Sequence, residues 1–127
     1  MDAKTMNPLT LAYLGDSIYE LYIRRYLIEK NIVYVKDLQV EAIKYVQASS
    51  QAKFLKDMMD KNFLTEEELQ VMRRARNYKC THHPKNCDLL TYKHSTAFEA
   101  IIGYLDIKKD QKRIEEIIQF ILEEEVC

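Results

Sequence analysis

The 127-residue chain, 47% hydrophobic and 31% charged, fits one globular domain over residues 1–127 that buries roughly two-thirds of its unfolded surface, and no second domain is expected. Two glycines and two prolines leave few turns for a sheet protein, so the composition favours helices. No apolar run reaches the ~18 residues of a membrane span, and the first ten residues lack the basic-then-apolar order of a signal peptide. Three cysteines make no disulfide framework, so reduced thiols and cytoplasmic residence are expected, and a net charge of −1 excludes an indiscriminate polyanion binder.

Asn7-Pro8 opens the first helix, with asparagine as cap and proline at the first helical position, where its missing donor is no loss. The pattern runs to about Lys30, and Leu9, Leu11, Leu14, Ile18, Leu21, Ile23 and Leu27 mixed with Tyr13, Tyr19, Tyr22 and Tyr26 put apolar bulk on nearly every side. Such a helix is expected to be buried all round, most easily with a second subunit over one face, which predicts a homodimer. Val35–Tyr45 and Ser50–Asn62 read as two further helices, the second contributing Phe54, Leu55, Met58 and Met59 to the core.

Thr65-Glu66-Glu67-Glu68 carries a helix start, with a capping box closed by Glu68, and that helix runs to about Tyr78. From residue 72 to residue 94 the basic residues Arg73, Arg74, Arg76, Lys79, Lys85 and Lys93 face a single acid, Asp88. A local basic patch on a neutral chain suits a selective nucleic-acid binder, although a solvated charged face accounts for the same pattern. Cys80–Leu90 holds Pro84 and no period, so it reads as a loop, in which Cys80, His82, His83 and Cys87 match no common zinc spacing but admit a zinc site as a minor reading. Ser95–Leu105 forms a fifth helix, and Ile114, Ile117, Ile118, Ile121 and Leu122 give a sixth its apolar stripe.

Two carboxylates break the local rules. Leu14-Gly15-Asp16-Ser17-Ile18 sets an acid and a glycine inside the most apolar helix; the glycine costs about 1 kcal/mol there and an unpaired buried carboxylate more. Phe98-Glu99-Ala100-Ile101-Ile102-Gly103 repeats the theme. If the glycines let the two backbones approach, Asp16 and Glu99 share one pocket suited to Mg²⁺, with Mn²⁺ able to substitute. Two simpler readings compete: Asp16 partly exposed and satisfied, and Glu99 closing a capping box with Thr96. Glu20, one turn beyond Asp16, either adds like charge near that pocket or pairs with Arg24.

Leu11-Ala12-Tyr13-Leu14-Gly15-Asp16-Ser17 resembles the signature stretch of ribonuclease III catalytic domains, and Phe98-Glu99-Ala100-Ile101-Ile102-Gly103 resembles their second acidic motif. Arg73-Arg74-Ala75-Arg76-Asn77-Tyr78-Lys79, Pro84-Lys85-Asn86 and Ser95-Thr96-Ala97-Phe98-Glu99 look like the smaller Mini-ribonuclease III relatives, over about residues 7–105. The resemblance implies an all-α endonuclease domain, a helical bundle acting as a homodimer on double-stranded RNA with Mg²⁺ and water. It implies as substrate the precursor of 23S ribosomal RNA, cut on both strands of its terminal stem to leave 5′ phosphates, and leaves room for a large-subunit ribosomal protein as partner.

Carried over by position, Asp16 and Glu99 match the acids at the metal, and Arg73, Arg74, Arg76, Asn77, Lys79 and Lys85 are the expected RNA contacts. Full-length ribonuclease III has further acids where this chain holds Leu9 and Thr96, so fewer direct protein contacts to the metal are expected. The rival reading is a non-catalytic RNA-binding or ribosome-associated module on the same fold.

Overall fold

The computed structural model describes residues 2–79, 85 and 87–126. Six helices follow one another among them: α1 Pro8–Glu29, α2 Val35–Val46, α3 Ala48–Asp60, α4 Glu66–Asn77, α5 Leu89–Ile107 and α6 Gln111–Val126, with no strand among the described residues.

Local chemistry sets most of the boundaries. Asn7 caps α1 by accepting from the Leu9 N–H at 2.8 Å, with Pro8 in the first turn. Asn31, Asn62 and Lys109 take left-handed conformations (φ 66°, 52° and 64°) just beyond α1, α3 and α5, the turn that ends a helix without glycine. Both arms of the box at α4 are formed: Glu68 N–H donates to Thr65 Oγ1 at 3.2 Å, and Thr65 N–H to Glu68 Oε1 at 3.0 Å. Gln47, extended at ψ 153°, separates α2 from α3, so the latter begins two residues before the expected Ser50.

Two expectations need correcting. Helix α5 starts at Leu89, well before Ser95, because Asp88 caps it by accepting from the Thr91 N–H at 3.1 Å. Thr91, Tyr92, Lys93 and His94 are all half-buried, so this first stretch has no apolar stripe to betray it. Thr96 therefore lies in mid-helix, and the capping-box reading of Glu99 falls. The helix buried on most sides is α5, not α1: Ala97, Phe98, Ala100, Ile101, Ile102, Tyr104 and Leu105 are all buried, and α1, α3, α4 and α6 pack around it.

Helix α1 hides Leu11, Ala12, Tyr19, Ile23 and Leu27 but leaves Leu9, Leu21 and Ile28 exposed and Tyr13 at 85% exposure. In α3, Phe54, Leu55 and Met58 are core as expected, whereas Met59 is exposed.

Helices α1 and α5 cross antiparallel and back to back on glycine. A Cβ on Gly15 would stand 1.8 Å from the Glu99 carbonyl oxygen, and one on Gly103 1.9 Å from that of Leu11. No side chain fits in either place. One turn along, the rings of Tyr19 and Phe98 meet edge to face at 4.9 Å, and the Tyr19 hydroxyl donates to the Tyr45 carbonyl at 2.8 Å, tying α1 to α2.

Candidate active site

The glycine crossing positions the two acids. Asp16 follows Gly15 and stays exposed, while Glu99, whose own carbonyl touches Gly15, is half-buried on α5. Their side chains come within hydrogen-bonding reach, and burial, the hydrogen bond with Asp16 and the Asp16 charge together push the Glu99 carboxyl up to about 9. Without a cation, Glu99 keeps its proton at neutral pH. Glu20 stands apart from it, joined to Arg24 at 2.8 Å.

A hard divalent cation fits this donor set. Two carboxylates lie in one place and lose their repulsion when a cation replaces the proton, and oxygen donors suit Mg²⁺ or Mn²⁺. Among the described residues no group of three or more His, Cys, Asp or Glu could hold a metal, so within them Asp16 and Glu99 would act as a pair and not as part of a larger cluster. The zinc reading rests on Cys80, His82 and His83, which lie outside the described residues; Cys87 is a half-buried free thiol.

Two side chains that the sequence reading passed over complete the site. Gln51, 1% exposed, donates from Nε2 to Glu99 Oε2 at 3.4 Å and to the Val46 carbonyl at 3.1 Å, and its Oε1 accepts from the buried Ser95 hydroxyl at 2.6 Å. A signal was present: Gln51 is the one polar member of the stripe Gln51, Phe54, Leu55, Met58.

The basic residues divide by role. Arg74 donates to the carbonyls of Lys4 and Met6 at 2.7 and 2.6 Å, strapping the segment before α1 onto α4. Arg73 pairs with Glu66 at 3.3 Å, an exposed contact of little strength, and Arg76 reaches Asn77 Oδ1 at 3.4 Å. Asn77, Lys79 and Lys85 are exposed. The Tyr78 hydroxyl accepts from the Asn7 side chain at 3.1 Å, which anchors this end of α4 at the start of α1. The nine residue steps from Asn7 to Asp16 then span about 13.5 Å of helix.

Backbone-level crossing of two helices places an acid pair on one edge, with a basic helix end nearby. Residues 9–110 match the family model described as Ribonuclease III domain. Proteins named Mini-ribonuclease 3 are similar over nearly the whole chain. The one from Clostridium tetani is 40% identical over 95% of this chain and 80% of its own length; the one from Symbiobacterium thermophilum is 46% identical over 91% and 87%. Among solved structures, the crystal structure of protein FN1578 from Fusobacterium nucleatum superposes with a TM-score of 0.84 at 34% identity, covering 98% of both chains. The chain belongs to the ribonuclease III family, on its Mini-ribonuclease 3 branch.

Proposed function

We propose that this chain, as a single catalytic domain, is a Mg²⁺-dependent endonuclease of double-stranded RNA that matures the 23S ribosomal RNA precursor in the cytoplasm. The observation that carries it is the Asp16–Glu99 pair at the glycine crossing. Family membership supports double-stranded RNA as substrate; the ribosomal precursor stem is what the resemblance to Mini-ribonuclease III relatives implies.

Asp16 and Glu99 would hold Mg²⁺, with Mn²⁺ as a substitute; when bound, the ion would supply charge neutralisation at the scissile phosphate, activation of water and stabilisation of the leaving oxygen. To hold the ion, Glu99 would release its proton to solvent. Arg73, Arg76, Asn77, Lys79 and Lys85 contact phosphates and sugars across the shallow minor groove, reading A-form shape, while Arg74 contributes by holding the N-terminal segment in place.

The exposed apolar residues of α1 support a homodimer with one site per strand. No described helix is long and apolar enough to cross a membrane.

The test is cleavage of a long double-stranded RNA and of a ribosomal precursor stem, with and without Mg²⁺, by wild type and Asp16→Asn. Metal-dependent cuts with 5′ phosphates, lost in the variant while RNA binding persists, are expected. RNA binding without cleavage of either substrate would overturn the enzymatic reading in favour of a non-catalytic module.

A further inference from the structure

Gln51 lies on a buried stripe of α3 whose other members are apolar. A primary amide in that position contributes nothing to packing that leucine would not, and costs about 1–3 kcal/mol wherever a polar atom lacks a partner. Both ends of this amide have partners. The Val46 carbonyl can only accept, which fixes the flip of the amide with Nε2 towards Val46 and Glu99 Oε2, and Ser95 Oγ donates to the opposite end, Oε1, at 2.6 Å. Ser95 and Glu99 are one turn apart on α5, so a single side chain from α3 engages both.

On the function proposed above, we propose that Gln51 is a positioning residue of the metal site. It holds one oxygen of Glu99 and leaves the other to the cation, with Ser95 and the Val46 carbonyl together holding the amide in place. The chemistry of the group suits that task. A lysine or arginine in its place would neutralise the acid pair and remove its demand for a cation, and a carboxylate would add a third like charge. An amide orients without doing either. Groups that orient metal ligands in this way characteristically change metal affinity or activity by about 10–100-fold when removed.

The experiment measures Mn²⁺ binding by calorimetry to the full chain, free of metal and RNA, for wild type, Gln51→Leu and Ser95→Ala. It is paired with the metal dependence of cleavage of a long double-stranded RNA. Folded Gln51→Leu is expected to bind Mn²⁺ roughly tenfold more weakly and to need correspondingly more metal for half-maximal cleavage, with KM for RNA unchanged; Ser95→Ala moves the same way by less. A purely structural role would lower the melting temperature and leave Mn²⁺ affinity alone. If folded Gln51→Leu keeps wild-type Mn²⁺ affinity and metal dependence, the proposal is overturned. Should that variant not fold, unchanged Mn²⁺ affinity in Ser95→Ala overturns it equally. Wild type that neither binds Mn²⁺ nor cleaves would instead overturn the proposed function, and this inference with it.

Discussion

Glu99 is held by α5 against an exposed acid, and its ionisation in the metal-free protein runs against both burial and the Asp16 charge. A carboxyl raised from its ordinary value to about 9 favours folding fully below pH 4.5, and that contribution drains away as pH climbs towards 9. Without divalent cation, wild type is therefore expected to lose stability as pH rises, by on the order of 3 kcal/mol at pH 7. Glu99→Gln removes that slope, melts higher than wild type above neutral pH without metal, and gains nothing from Mg²⁺. Melting curves across pH with and without Mg²⁺ check this; equal stability of the two proteins in the absence of metal would sink it. Asp16 and Glu99 were both legible in the sequence because each violates the apolar pattern of its own helix. Gln51 was marked by the same kind of violation, but its partners, 44 and 48 residues away, were not.

Helices α1 and α5 depend on an absence of side chain. Gly15→Ala should gain about 1 kcal/mol from helix propensity alone. Its methyl group would stand 1.8 Å from the Glu99 carbonyl oxygen, however, and the obstacle is backbone that no rotamer change can move. The helices must part, so the clash wins: a net loss of about 1–3 kcal/mol or more is expected. Cleavage should fall further than the stability loss explains, since Asp16 and Glu99 separate with their helices. A Gly15→Ala protein with wild-type melting temperature and cleavage would show that the crossing does not set the site.

Caps and stripes made most of the helices readable from neighbouring residues, whereas the first turns of α5 were missed because half-buried polar residues give them no period. A second long-range link escaped too: Arg113 binds Glu68 through both carboxylate oxygens at 2.7 and 2.8 Å, fastening α6 to the very residue that closes the α4 box.

Across the whole molecule, apolar surface is unevenly distributed. Leu21 and Ile28 on α1 and Val35, Val40 and Ile43 on α2 are each at least half exposed, a concentration that fits an interface better than a solvated face. In solution the chain is expected to have the mass of a dimer by light scattering, and Leu21→Asp combined with Ile28→Asp should give a monomer with unchanged helix content. A wild-type monomer would remove the dimer from the proposed function, and a double variant that stays dimeric would place the interface elsewhere.

The sequence by itself determined the all-helical class, the helix starts marked by Asn7 and Thr65, and the two acids with their glycines, because caps, period and misplaced charge act among residues a turn or two apart. Helix packing alone reveals that α5 rather than α1 is the enclosed helix, that Arg74 is a strap, and that Gln51 and Ser95 stand behind Glu99. These depend on which helix faces meet, and contacts between residues 44 to 70 positions apart have no signature in local spacing.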